Sequence, residues 1–410
     1  MNMPKSRWLS AAMVCLLAVN LLAACGGDSA PTTQPTNPEA ATATPETAAP
    51  TTDSNLPVTT GNPLQLPYLQ YGAAAQLYYT DRNRALTLMN NAGFDWVRQQ
   101  IQWKDIEGPK GNFGWGELDA IVADANAKNI KVLLSIVRSP SWARADGTNG
   151  MPDNIKDFGD FVEALVVRYK GKVQAYEIWN EQNLDHENGG SRDSIDATKY
   201  VDLLVEAYNR IKPIDPEAFV ISGALTSTGD SPAAIDDMTY FEQMFSYKDG
   251  IFKDHIDGVG FHPSPSYNPP ATLWPDQPGP GPGWLESPTH YFRHIENLKI
   301  LMDKYGMQDY QVWVTEFGWA TQNTSPGYEY GNEISFEQQG QYVLDALQMT
   351  RRDYPWVATM FVWNLNFAVT SPDPLDQTAS FGILNPDWSP RPVFEKIQGF
   401  VNAVKTEEGR

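Results

Sequence analysis

The spacing of hydrophobic positions changes period repeatedly along the chain. Between residues 64 and 405, short β-branched or aromatic runs give way to longer stretches with apolar positions three and four apart. The short runs predict strands over Gln70–Ala75, Trp96–Gln100, Ile130–Val137, Val173–Trp179, Ala218–Gly223, Asp257–His262, Gln311–Glu316 and Val357–Trp363. The stretches between them predict helices over Arg82–Ala92, Leu118–Lys128, Ile155–Tyr169, Ala197–Ile211, Asp236–Phe245, Tyr291–Tyr305, Phe336–Thr350 and Pro392–Val404. Eight successive strand–helix units predict an α/β fold, a (β/α)8 TIM barrel with enlarged loops, since a doubly wound sheet rarely needs so many units. No Gly-x-Gly-x-x-Gly fingerprint follows the first strand and no Gly-Lys-Ser/Thr motif occurs, so no nucleotide cofactor is expected.

The pattern stops before residue 62. Lys5 and Arg7 precede an apolar run from Leu9 to Ala24 that ends in Leu22-Ala23-Ala24-Cys25-Gly26. A positive start, a short apolar core and small residues before a cleavage point make a secretory leader. With the cut before a cysteine, residues 1–24 resemble a bacterial lipoprotein signal, which implies lipidation of Cys25 and a membrane anchor at the cell surface or envelope. From Asp28 to about Gly61 the chain is mostly Thr, Ala and Pro without an aromatic residue. Such a segment buries too little apolar surface to offset chain entropy, so residues 25–61 read as a disordered tether, reaching up to roughly 100 Å. A single catalytic domain over residues 62–410 is expected to follow, acting as a monomer.

Composition narrows the partners. The 410 residues carry 30 Lys+Arg against 50 Asp+Glu, a charge of −20, and loss of Lys5 and Arg7 with the leader makes it −22. That balance disfavours nucleic acid, whose binding needs basic residues to displace counterions. Two cysteines form no disulfide scaffold, and the five histidines (His186, His255, His262, His290 and His294) show no metal spacing, so no catalytic metal or other cofactor is expected, a structural Ca2+ among loop acids such as Asp373 and Asp376 being left open. No Gly-x-Ser-x-Gly elbow is present, which weakens an esterase reading.

In a barrel the chemistry sits at the C-terminal ends of the strands. The fourth predicted strand ends in Tyr176-Glu177-Ile178-Trp179-Asn180-Glu181-Gln182-Asn183, and the seventh in Trp313-Val314-Thr315-Glu316-Phe317-Gly318-Trp319. Glu181 and Glu316 therefore reach the rim from strands that face each other across the mouth. Two carboxyls flanking one bond are what glycoside hydrolysis needs: one protonates the leaving oxygen and the other attacks or stabilises an oxocarbenium-like centre. Glu177, four residues earlier, is expected inside the barrel in a structural role.

At these residues the sequence resembles a known group. Trp179-Asn180-Glu181 and Thr315-Glu316-Phe317-Gly318 look like the acid/base and nucleophile motifs of the clan A glycoside hydrolases, and within them the chain is most similar to glycoside hydrolase family 39. Phe94-Asp95-Trp96-Val97-Arg98, Ser139-Pro140-Ser141-Trp142-Ala143 and Phe381-Gly382-Ile383-Leu384 support the likeness. Gln182 departs from it, standing where that family usually has Pro. The resemblance implies a retaining glycoside hydrolase acting on an extracellular or cell-wall polysaccharide or oligosaccharide, with Glu181 as acid/base and Glu316 as nucleophile. It implies that Asn180 binds the sugar 2-hydroxyl and that Arg98 lies beneath Glu316, keeping it ionised while Glu181 stays protonated. It also implies that His262 and Tyr267 lie near the nucleophile and that Trp363 floors the scissile sugar. A carbohydrate-binding lipoprotein without catalysis and a transglycosidase using the same two Glu are the alternatives.

Pro263–Thr289 forms a long connection with nine prolines, Trp274 and Trp284, and loops of that length in compact domains are usually functional. Trp103, Trp142, Trp274, Trp284 and Trp319 are predicted in rim loops, where indoles stack on sugar faces, and at least two are expected to line subsites. Lys104, Arg138 and Arg144 are placed near the rim as possible partners of a uronic acid.

Overall fold

The structure is a computed structural model that describes residues 63–275, 287–371 and 373–410. The leader, Cys25, the tether and Trp284 lie outside the described residues. The strands are β1 (Gln70–Ala74), β2 (Trp96–Gln102), β3 (Lys131–Val137), β4 (Ala175–Ile178), β5 (Phe219–Ser222), β6 (Leu225–Thr226), β7 (Gly258–His262), β8 (Gln311–Phe317) and β9 (Val357–Val362). All pairings are parallel and follow chain order except that β5 and β6 both pair with β7, and β9 returns to β1 with Gly72 opposite Phe361, which closes the sheet.

The fifth stave is made of two pieces. From β5, Ile221 pairs with Gly258; from β6, Leu225 and Thr226 pair with Phe261 and His262. Gly223 and Ala224 form the break between them, so eight staves arise from nine strands. The sequence pattern reads only the first piece, because two residues of β6 are too short to show a period. Every predicted strand and helix otherwise appears within a few residues of its predicted ends. The helix Phe336–Asp353 begins on a full capping box between Ser335 and Gln338, and Asp81, Asn154, Asp196 and Asp236 cap four others with their side chains. Among the described residues no helix is long and apolar enough to cross a membrane.

Alternation along the strands stacks the barrel interior in layers. The lower layer is apolar: Trp96, Leu133, Ala175, Ile221, Trp313 and Phe361 share one buried cluster, with Trp96 and Trp313 edge to face at 5.4 Å. Gly258 makes room for this packing, since a Cβ there would sit 2.5 Å from Trp313 Cδ1. Two residues further along four of those strands the side chains turn polar: Arg98, Ser135, Glu177 and Thr315, all buried. A charged layer in a closed barrel must satisfy itself internally, and that demand shapes the site above it.

Candidate active site

Arg98 organises the polar layer, with its side chain only 1% exposed. Nε donates to Glu177 Oε2 at 2.7 Å, Nη1 to Glu316 Oε1 at 2.6 Å, and Nη2 to Asn180 Oδ1 at 2.7 Å and Ser135 Oγ at 3.2 Å. The planar five-donor fork thus bonds four side chains at once, a pattern that lysine's single ammonium does not reproduce.

Above this layer His262, ending β7, bridges the two candidate carboxylates. Nδ1 lies 3.0 Å from Glu181 Oε1 and 3.9 Å from Glu316 Oε2, and Nε2 lies 2.9 Å from Thr315 Oγ1. Thr315 donates in turn to Glu177 Oε1 at 2.7 Å. Glu181 and Glu316 keep 17% and 15% of their side chains exposed, enough to meet a ligand at the barrel mouth. One oxygen of each and a ring nitrogen of His262 lie within 4.8 Å of one another. Arg98 already holds a fixed cation against Glu316, and both imidazole nitrogens have a polar partner within hydrogen-bond distance.

The segment carrying Glu181 is bent sharply. Trp179 and Glu181 both have left-handed backbones, φ 72° and 43°, a conformation costly for residues of that bulk. Tertiary contacts hold it: Trp179 Nε1 donates to the Glu187 carbonyl at 3.1 Å, and Glu181 N donates to the Ala224 carbonyl at 2.8 Å in the break of the fifth stave. Gln182 is buried and gives Nε2 to the Gly223 carbonyl at 2.8 Å, a bond proline could not make. Asn183 bonds both backbone groups of Thr226. Nothing in the local sequence announces these docking contacts, which depend on where β6 lies.

Ionisation follows from burial and these partners. Burial works against the charged form of Glu181, but the hydrogen bond and charge of His262 outweigh it and hold its pKa below the ordinary glutamate value. Burial raises the pKa of Glu316 above that value, with His262 and Arg98 pulling the other way and Glu181 and Glu177 adding to the rise. Arg98 does lie against Glu316 as expected; in the free site the pKa of Glu316 nevertheless moves up and that of Glu181 down. Burial is the largest cause of the rise at Glu316, and Glu177, which shares the same guanidinium, is a lesser one.

Other expected contacts sort themselves by burial. Asn180 is buried and held by Arg98, beside Glu316's own partner. Tyr267 is half-buried against the hydrophobic core, and Trp363, half-buried, meets Phe367 edge to face at 4.7 Å. Trp274 is half-buried and packs on Tyr291. Trp319 is a correction: it is fully buried, with Nε1 donating to the Asn268 carbonyl at 2.9 Å, so its indole supports a loop and offers no face to a sugar. Trp103 is likewise buried, stacked on Phe161. Trp142 packs edge-on to Trp103 with Lys110 Nζ 5.2 Å above its ring. The three cations near the rim have acids of their own: Lys104 has Asp105 at 3.5 Å, Arg138 has Glu187 at 3.5 Å and Arg144 has Asp146 at 2.5 Å.

Comparison with known proteins bears on the family and the fold. The family model Cellulase (glycosyl hydrolase family 5) matches residues 58–366. The chain is similar to endo-1,4-beta-xylanase 3 of Hypocrea jecorina, 26% identical over 157 residues, which cover 37% of this chain and 44% of that protein, less than half its length. Among solved structures, its fold is similar to a family 39 glycoside hydrolase from Bacteroides cellulosilyticus WH2, with TM-score 0.64 and 21% identity over 82% of this chain and 64% of that one. It is also similar to xylanase 10B of Thermotoga petrophila RKU-1, with TM-score 0.55 and 16% identity over 82% of this chain and 94% of that one.

Proposed function

We propose, from the premise that this chain belongs to the cellulase family, glycosyl hydrolase family 5, that it is a retaining glycoside hydrolase with Glu316 as nucleophile and Glu181 as acid/base. One observation carries the reading: carboxylate oxygens from β8 and from the loop after β4 meet within 4.8 Å at the mouth of a closed barrel. Retention uses carboxyls about 5–5.5 Å apart, whereas inversion needs about 6.5–9.5 Å to admit a water.

In the first displacement Glu316 bonds to the anomeric carbon as the glycosidic C–O bond breaks, and the leaving oxygen takes the proton of Glu181. In the second, Glu181 draws a proton from water, the water oxygen attacks the same carbon, and the bond to Glu316 breaks. Asn180, oriented by Arg98, is assigned the sugar 2-hydroxyl. Tyr267, Trp274 and Trp363 are assigned contacts along the cleft.

The substrate is assigned as an extracellular or cell-wall polysaccharide, and the relatives put xylan at the head of the panel. A finer likeness to family 39 is supported by the motifs at Glu181 and Glu316 and by the shared fold. The test is incubation of the full chain with a polysaccharide panel, sizing the products, with Glu316→Gln as control. Products from the native chain alone uphold the reading; a folded chain that leaves every polysaccharide and aryl glycoside intact ends it.

Anchoring through a lipid on Cys25 is proposed on the leader Leu22-Ala23-Ala24-Cys25. Mass spectrometry of the N-terminal peptide should find acyl chains on Cys25, and Cys25→Ser should release the protein from membranes.

A further inference from the structure

The buried polar layer fixes where protons sit. Glu177 is fully buried and its carboxylate pairs with Arg98, so both its oxygens only accept. Thr315 has one O–H, and it goes to Glu177 Oε1 at 2.7 Å. What Thr315 Oγ1 presents to His262 is therefore a lone pair, and the 2.9 Å contact is a hydrogen bond only if His262 carries a proton on Nε2. With Nε2 protonated, the 3.0 Å contact of Nδ1 with Glu181 Oε1 can be a hydrogen bond in two ways. Either Glu181 is protonated and donates to a neutral ring, or the ring is an imidazolium donating to ionised Glu181. Both forms hold one proton between Nδ1 and Oε1. The form lacking it sets two lone pairs against each other in a buried site, which is costly.

We infer that Thr315, oriented by Glu177, is a positioning residue that locks His262 in its Nε2–H form and so stores the acid proton jointly on His262 and Glu181. This rests on the glycosidase reading for the word acid, but the proton count itself does not. The surroundings favour retention of the proton: Glu316 on β8 and Glu181 raise the pKa of His262 against the effect of burial, with Arg98 on β2 opposing them. His186, Glu187 and Thr226 are the other polar groups acting on Glu181. In the first displacement the stored proton passes to the leaving oxygen, leaving ionised Glu181 facing a neutral, Nε2-protonated ring. In the second the pair recovers a proton from the attacking water as its oxygen bonds to the anomeric carbon and the bond to Glu316 breaks. Proton and bond counts balance over the cycle, and the unfavourable intermediate arrangement makes the pair a stronger base when a base is required.

Thr315→Val keeps the shape and removes the acceptor; Thr315→Ser keeps the hydroxyl. Without the acceptor a neutral His262 is free to protonate Nδ1 and donate to ionised Glu181, so the stored proton is lost more easily. Its pKa should fall, moving the alkaline limb of kcat/KM to lower pH by about one unit, an approximately tenfold change in the dissociation constant. Long-range 1H–15N correlation on the full chain with 15N-histidine, assigned by signal loss in His262→Gln, reads the ring directly. The native protein and Thr315→Ser should show Nε2 protonated across the titration; Thr315→Val should show a bare Nε2 at high pH. A bare Nε2 in the native protein overturns the inference, as does a Thr315→Val profile that superimposes on the native one. If the native chain cuts no substrate, the glycosidase reading fails while the nitrogen spectra still decide the proton's place. Should Thr315→Val fail to fold, the native and Thr315→Ser spectra decide it.

Discussion

Arg98 Nη1 and Glu316 Oε1 meet at 2.6 Å, while Nε of the same guanidinium meets Glu177 at 2.7 Å. One cation thus stabilises two carboxylates at once. Arg98→Met should leave both without their charge partner and lower the unfolding free energy by about 3–5 kcal/mol, read from urea denaturation. Arg98→Lys should recover part of the stability and little of the activity, because a point charge cannot hold Glu177, Glu316 and Asn180 together. Native stability in Arg98→Met would show that the layer is held by other contacts.

The two glutamates should respond differently to amide replacement. Glu316→Gln should lower turnover at least about 10³-fold on every substrate, because no other group can form the covalent intermediate. Glu181→Gln should cost about 10²–10⁴-fold where the leaving group needs a proton and far less on activated aryl glycosides. Equal losses in the two variants across a leaving-group series would contradict the separate roles.

Acid pH should switch the enzyme off earlier than an ordinary glutamate would. Attack requires ionised Glu316, whose pKa burial raises, so the acid limb of kcat/KM should lie above the usual value of about 4.3. The same shift has a sign for stability. A carboxyl with a raised folded pKa contributes its full share of stability below its unfolded pKa and loses it as pH rises through the folded one. The difference in unfolding free energy between the native chain and Glu316→Gln, followed from pH 4 upward, should decline in that window. A flat difference would mean that Arg98 and His262 cancel the effect of burial.

Gly258→Ala tests the floor beneath the site. Its Cβ would meet Trp313 Cδ1 at 2.5 Å and Nε1 at 2.7 Å, and overpacking of a filled core costs about 1–3 kcal/mol. Thermal unfolding should fall accordingly and the near-UV dichroism of Trp313 should change; an unaltered midpoint would show that the indole has room to shift.

Much of this site is written in local pattern. Period-two runs ending in Asn180-Glu181 and Thr315-Glu316 carry two carboxylates to one rim, and strand order alone then makes them face each other. Arg98 and His262 were legible only through the family resemblance, which implies their places beside Glu316. Burial of the Trp319 indole was not legible: it follows a strand end, and only the packing of Phe292 and Tyr342 around it decides that it is a support. Glu177 was expected in the interior, where it lies, yet its link through Thr315 to His262 joins three strands. No one-dimensional pattern records which side chains meet inside a cylinder.

The break at Gly223 and Ala224 gives the barrel a joint, and Glu181 is fastened to it through the Ala224 carbonyl. Glu316, by contrast, stands within a single strand, β8. The gap between the two carboxylates therefore works like a caliper with one fixed jaw and one jaw on a slide. Lengthening or shortening the turn at residues 223–224 would reset the opening without altering either glutamate, which makes this turn a place where the stereochemical outcome could be redesigned.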